Sequence, residues 1–173
     1  GGTERRGPAV GEAGLVFRVD APAPAERQAA IDRLIRDEFE IDLGALDRFG
    51  RSGRDPGFVS LGRWAGAAIV AHVGLQPMTL RRGGAAIAAL GLGFATVRPD
   101  RRGRGLFRDL MERALAFADA RVGLVLLETE DPDLYRRFGF AEVVEHSFAG
   151  PLAVAAGPAE ARRLSLDAAG DVA

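Results

Sequence analysis

Apolar and polar positions alternate over Leu15–Val19, as in a strand with one face covered. Asp20 and the prolines Pro22 and Pro24 then mark a helix start. Ile31, Leu34, Ile35 and Phe39 recur at helical spacing and put one apolar stripe on that helix. Leu43–Asp55 is polar and broken by Gly44, Gly50 and Gly53, which predicts a short helix running into a mobile loop. Three β-type runs follow. Phe58–Arg63 and Ala67–Leu75 are joined by a turn at Ala65-Gly66, and Met78–Val97 folds back at Arg82-Gly83-Gly84 to give the third. Beyond Arg98–Gly105, Leu106, Leu110, Ala114 and Phe117 predict an amphipathic helix of about four turns. Val122–Leu127 is an unbroken apolar run, expected as a strand covered on both faces. Pro132–Phe138 reads as a short helix closed by Gly139, and Phe140–Phe148 alternates again. In the alanine- and glycine-rich remainder, Ala161–Leu166 is the candidate for a last edge strand.

This order predicts one α/β (mixed α+β) domain over residues 14–150, with a central mixed, mostly antiparallel sheet flanked by helices. Residues 1–13 are expected to be disordered or expression-derived, with Gly1-Gly2 as a cloning scar, and 151–173 to form a C-terminal extension. A length of 173 residues with 47 % hydrophobic residues supports one domain with a real core and argues against disorder. The net charge of −1 gives no reason to expect a nucleic-acid partner. With no apolar run of membrane-spanning length and no basic-then-apolar start, the chain reads as soluble and cytoplasmic, without a membrane partner.

Two missing residue types narrow the chemistry. There is no cysteine, which removes disulfides, thiolate nucleophiles and zinc–thiolate sites. There is no lysine either, since all 23 basic side chains are arginine. Schiff-base catalysis and the P-loop lysine are therefore excluded. His72 and His146 are the two imidazoles, too few for a histidine-rich metal centre, so no metal is expected.

The run Arg98-Pro99-Asp100-Arg101-Arg102-Gly103-Arg104-Gly105 lies between a long β stretch and a helix. The first turn of a helix offers unpaired N–H groups and the positive end of a dipole. Gly103 and Gly105 let a phosphate approach the backbone, and Arg101, Arg102 and Arg104 add charge. A dinucleotide fingerprint would need a third glycine and parallel strands, whereas the elements before this loop read as antiparallel hairpins. A cofactor with its pyrophosphate on the helix N-terminus and a long arm along a strand fits better, as coenzyme A would.

Val97 to Leu106 resembles the coenzyme A loop of the GNAT (Gcn5-related) N-acetyltransferases, and Leu134-Tyr135-Arg136-Arg137-Phe138-Gly139-Phe140 is similar to their second signature, a short helix followed by Gly-Phe. The resemblance spans about residues 14 to 148. It implies a GNAT fold with strands splayed at the acyl-CoA site, and acetyl-CoA or another acyl-CoA as co-substrate. It further implies that the backbone amides of Arg102, Gly103, Arg104, Gly105, Leu106 and Phe107 hold the pyrophosphate, while the pantetheine arm pairs with Ala95, Thr96 and Val97. The family pattern Arg/Gln-x-x-Gly-x-Gly/Ala is met except at its last position, which is Phe107 here. Ala68–Leu75 with Gly91–Asp100 is also similar to two aminosugar groups within the superfamily, the aminoglycoside 2′-N-acetyltransferases and the nodulation-type N-acyltransferases.

Amide formation from a thioester needs a neutral amine, a polarised carbonyl and a proton for the departing thiolate. Tyr135, the single tyrosine, falls where the resemblance puts the general acid; otherwise it is a core tyrosine whose hydroxyl caps a backbone group. The base stays open. The aminosugar relatives carry a glutamate on the strand before the loop, but Gly91 and Gly93 stand there and no carboxylate lies between Gly83 and Val97. The candidates are His72, Glu128 and a water held by backbone carbonyls, and no base is required if the amine arrives partly deprotonated. Glu38, Glu40, Asp42 and Asp47 give the expected acceptor side negative charge, suited to a cationic amine or aminosugar, or else an ordinary solvated helix face. Three functions follow: a small-molecule amine N-acetyltransferase working by direct transfer, a longer-chain N-acyltransferase fed by acyl-CoA or an acyl carrier protein, and a non-catalytic acyl-CoA sensor. Either a monomer or a homodimer is compatible with the sequence.

Overall fold

The computed structural model describes residues 14–41, 57–143 and 150. Residues 14–140 fall in one compact unit, and the description below concerns that unit. Five strands form one sheet in the order β1 (Val16–Asp20), β2 (Val59–Ala65), β3 (Ala68–Arg82), β4 (Ala85–Val97) and β5 (Val125–Leu126). The β1–β2, β2–β3 and β3–β4 pairs are antiparallel and β4–β5 is parallel, as an intervening helical crossover requires. Helix α1 (Ala25–Phe39) follows β1, helix α2 (Leu106–Asp119) joins β4 to β5, and the short helix α3 (Pro132–Arg136) follows β5.

Each face of the sheet has its own apolar cluster. Ile31, Leu34 and Ile35 of α1 pack with Trp64 and Ile69 on one face, so three of the four stripe residues are buried, while Phe39 at the helix end stays 40 % exposed. On the other face Leu106, Leu110, Met111, Ala114 and Ala118 of α2 meet Leu61, Val73, Leu75, Leu90 and Val97. Leu110 and Met111 are almost wholly removed from water, and this cluster is the larger of the two, so its burial is the larger driving force for collapse. Polar ties supplement the packing. Asp20 accepts from Arg27 of α1 (Nη2 to Oδ1, 2.6 Å), and Arg63 of β2 pairs with Asp109 of α2 at the same separation. Arg113 joins that second pair and lies over the Phe17 ring, 4.6 Å from its centroid.

Several expectations change. Met78–Arg82 is not a separate strand, because β3 runs unbroken through Leu75 and Pro77 as far as Arg82 before turning at Gly83-Gly84. Val122–Leu127 is not a strand covered on both faces. Only Val125 and Leu126 pair with β4, at the sheet edge, and Leu124 is 37 % exposed. The run is apolar because Val122, Val125 and Leu127 lean on the α2 cluster. Pro132–Phe138 contracts to Pro132–Arg136, and the chain continues in a turn whose Gly139 N–H donates to Arg136 O (3.0 Å). Phe140–Val143 forms no strand, and the rest of Phe140–Phe148 lies outside the described residues. So do residues 1–13, the Leu43–Asp55 segment, the extension 151–173 with Ala161–Leu166, and Asp42, Asp47 and His146.

Candidate active site

The parallel β4–β5 pairing consists of Leu90 with Val125 and Gly91 with Leu126. Past Gly91, β4 continues for six residues to Val97, paired only with β3 among the described residues. The two strands thus part, and the edge of β4 beyond Gly91 is not covered by β5 on its way to the glycine-arginine loop. This edge includes Ala95, Thr96 and Val97.

Within the same stretch β4 bulges. His72 pairs with Thr96 and Gly74 with Gly93, so Phe94 and Ala95 together oppose Val73. Phe94 takes the left-handed backbone conformation (φ +51°), uncommon for a residue with a side chain. The extra residue reverses the alternation of the strand. Leu90 and Leu92 face the α2 cluster before it, and Ala95 and Val97 face the same cluster after it. Phe94 is left on the α1 side, edge-on to Phe39 with ring centroids 5.9 Å apart. Apolar periodicity alone gives no sign of such an insertion.

A single 3₁₀ turn, Pro99–Arg101, follows β4. Gly103 (φ +73°) and Gly105 (φ +78°) then both adopt the left-handed conformation, and Gly105 caps α2. No side chain caps that helix end. Its ladder begins with Asp109 N–H donating to Gly105 O (3.0 Å), leaving the amides of Leu106, Phe107 and Arg108 outside it. The glycines therefore set a backbone shape and keep the approach to these amides open, since a Cβ built on either meets nothing within 4 Å. Such a turn fits a pyrophosphate.

The arginines divide their work. Arg102 donates from Nε to Val97 O (3.0 Å) and from Nη2 to Glu38 Oε2 (2.6 Å). It thereby fastens the loop to the end of β4 and to the last turn of α1. Arg98 and Arg101 pair with Asp100, and Arg104 reaches Asp100 O (3.4 Å). Glu38, expected among the acceptor-side acids, thus has a counter-ion, while Glu40 is exposed at the α1 C-terminus.

Tyr135 on α3 comes to the same corner. Its ring lies edge-on to Phe107, in the first turn of α2, with centroids 6.0 Å apart, and at the same distance from Phe140. Asp131 caps α3 by accepting from Leu134 N–H (3.3 Å), which fixes the helix that presents the phenol. Half-burial, helped by the Asp131 carboxylate, raises the Tyr135 pKa, so the phenol holds its proton beyond the ordinary range. The loop and Tyr135, far apart in sequence, are thus joined through Phe107.

The other two catalytic candidates stand elsewhere. His72 lies on the α1 side of β3 and is 1 % exposed. Its Nδ1 contacts Phe94 O (3.0 Å) and its Nε2 contacts Ser60 Oγ (3.2 Å). Burial lowers its pKa to about 4, against smaller opposing effects of the Phe94 carbonyl and Asp32, so it is neutral at physiological pH. Glu128 is exposed two residues beyond β5. Among the described residues no cluster of His, Cys, Asp and Glu could hold a metal ion. No helix among them is long and apolar enough to cross a membrane.

A family model described as "Acetyltransferase (GNAT) domain" matches residues 46–143, more than half of the chain. The chain belongs to the GNAT acetyltransferases. An Escherichia coli protein called "Uncharacterized N-acetyltransferase YhbS" is 29 % identical over 135 residues, covering 76 % of this chain and 77 % of that protein. Among solved structures, a Trypanosoma brucei acetyltransferase superposes with a TM-score of 0.59 at 19 % identity, over 80 % of this chain and 99 % of its own. A predicted acetyltransferase from Clostridium acetobutylicum, solved with acetyl-CoA, gives 0.64 at 14 % identity over 79 % and 96 %. This GNAT acetyltransferase therefore has the fold, and the acyl-CoA-dependent N-acetyl transfer, of its family.

Proposed function

We propose that this acetyltransferase moves an acetyl group from acetyl-CoA directly to a primary amine of a small cationic molecule, above all an aminosugar of the kind the resemblance to aminosugar enzymes suggests. The supporting observation is the junction of Tyr135 with Phe107 at the helix start that follows the free β4 edge. In this reading the amides from Gly103 to Phe107 hold the pyrophosphate, the Arg102 N–H being turned to Pro99 O (3.4 Å), and Ala95–Val97 pair with the pantetheine arm. In the same reading the bulge offers its backbone donors to the thioester carbonyl. The amine nitrogen bonds to the acyl carbon, the C–S bond breaks, and the Tyr135 hydroxyl gives its proton to the thiolate. Because both His72 nitrogens are engaged, the amine's proton leaves to Glu128 or to water.

The acyl group is short in this proposal. A Cβ at Gly91 would lie 2.6 Å from Met78 Sδ, so Met78 occupies that space, and only Gly93 is open. Longer chains and an acyl carrier protein are the second reading, favoured only by the gap at Gly93. The deciding experiment is a thiol-release screen of acetyl-, malonyl- and longer acyl-CoAs against aminoglycosides, aminosugars, polyamines and amino acids, at low and high salt. Acetyl-CoA with cationic amines is expected to be fastest, with kcat/KM falling as salt rises. A consistent preference for neutral or anionic acceptors would refute the acceptor class and leave the acetyltransferase intact.

A further inference from the structure

We infer that His72 is a positioning residue, a neutral imidazole that locks the β4 bulge by donating from Nδ1 to the Phe94 carbonyl while accepting from the Ser60 hydroxyl. The inference rests on the reading above, in which acyl transfer occurs along the free edge of β4.

Hydrogen-bond chemistry decides the tautomer. A carbonyl oxygen can only accept, so at 3.0 Å from Phe94 O the Nδ1 atom must carry the proton. Since burial keeps the ring neutral, Nε2 is the lone-pair nitrogen, and the Ser60 hydroxyl, 3.2 Å away, donates to it. Both neighbours are fixed: Ser60 is paired with Gly74 in the sheet, and Phe94 is part of the bulge. The imidazole thus ties β2 to β4 through β3.

Phe94 needs such a tie. Its left-handed backbone costs energy that its surroundings must offset. A bulge also disrupts the ladder locally, and the Phe94 carbonyl here takes the His72 side chain as a partner. If that bond is lost, the strand can relax by shifting its extra residue, and the backbone from Phe94 to Val97 changes register at the edge where the thioester would lie. A shift of an ångström there is worth on the order of a hundredfold in rate. The environment also keeps His72 neutral. It is buried, and the charged group acting on it from α1 is Asp32, whose Oδ1 accepts from Gln28 Nε2 (2.7 Å). No second protonation state is needed for the role.

The test compares His72→Phe, His72→Asn and Ser60→Ala with the parent. The His72→Asn side chain offers an N–H donor at the position of Nδ1, so it is the conservative variant. His72→Phe should lower kcat about 10- to 100-fold, with a smaller loss of acetyl-CoA affinity measured by calorimetry, because Ala95–Val97 shift with the bulge while the phosphate turn does not. His72→Asn should restore kcat to within about threefold of parent, with the parent pH–rate profile. Ser60→Ala, which leaves the fold least disturbed, should lower kcat a few-fold at unchanged affinity. In long-range ¹H–¹⁵N spectra the parent should show the Nδ1-protonated neutral tautomer from pH 6 to 8. A His72→Asn variant as slow as His72→Phe, with one limb of the pH–rate profile gone, would make His72 a base and overturn the inference. An Nε2-protonated or rapidly titrating ring would overturn it too. The spectra need no substrate, so they remain decisive if no amine is acylated, an outcome that would sink the functional reading separately.

Discussion

Gly105 and Gly66 form a matched pair for testing the phosphate turn. Both have left-handed backbones, φ +78° and +62°, and a Cβ at either meets nothing within 4 Å. Gly66 sits in the β2–β3 turn and Gly105 at the start of α2. Alanine at each should cost about 1–2 kcal/mol in backbone strain. Reduced freedom of the unfolded chain offsets about 0.4–1 kcal/mol of that. The net loss is about 0–1.6 kcal/mol, or at most about 6 °C in Tm for a domain of this size. Stability should therefore fall alike in the two variants. Coenzyme A affinity should not. If the pyrophosphate rests against this backbone, the Gly105→Ala methyl intrudes on it, and losing one charge-assisted hydrogen bond means about 10- to 150-fold weaker binding. Gly66→Ala should bind as the parent does. Isothermal calorimetry well below both melting temperatures, with thermal denaturation alongside, measures both quantities. Equal affinities in the two variants would remove the turn from the cofactor site. A loss of affinity in Gly66→Ala as large as in Gly105→Ala would mean that strain, and not contact, weakens binding.

Tyr135→Phe keeps both ring contacts and should lower kcat by about a hundredfold with coenzyme A affinity held; a kcat within about threefold of parent in single-turnover assays would exclude the acid role. Burial raises the Asp109 pKa, but the hydrogen bonds from Arg113 and Arg63 and their charges together outweigh it and leave a net lowering. A depressed folded pKa means that this stabilisation is present above the unfolded value of 3.8 and is lost as pH falls through the lower folded one. Urea unfolding should accordingly show Asp109→Asn less stable than parent by about 1 kcal/mol at pH 6, the pair being partly exposed, with the gap closing below pH about 4. Leu110→Ala, in the fully buried α2 face, should cost about 2–4 kcal/mol in the same assay with little change in coenzyme A affinity.

The sequence disclosed what local chemistry dictates. The turns at Gly66 and Gly83-Gly84 and the stripe from Leu106 to Ala114 each follow from short-range periodicity, and each is present; Leu15–Val19 does give a strand, Val16–Asp20, but its covered face is incomplete, with Val19 44 % exposed and Asp20 buried. The loop could be found because left-handed turns demand glycine, and Gly103 and Gly105 are both left-handed. Val122–Leu127 misled because an apolar run looks the same whether a second strand or one helix covers it. The bulge left no trace because Phe94 is neither glycine nor asparagine, so its backbone conformation is imposed by tertiary contacts. His72 was a reasonable base by residue type, and only the positions of Phe94 O and Ser60 Oγ show its nitrogens to be in use. The Arg102–Glu38 pair joins residues 64 positions apart, beyond any local pattern.

In the proposed reading, that last contact lies between the cofactor turn and the acceptor side. Glu38 is 13 % exposed and balanced by Arg102, which also grips the end of β4. An anion that draws the guanidinium away leaves a sheltered carboxylate without its counter-ion, and a cation arriving beside α1 would then find its place vacant. Thermodynamic reciprocity makes the exchange two-way: whatever factor the cofactor applies to the acceptor's affinity, the acceptor must apply to the cofactor's. In the proposed reading, Arg102 couples the affinities for cofactor and acceptor through one charge, whichever of them binds first.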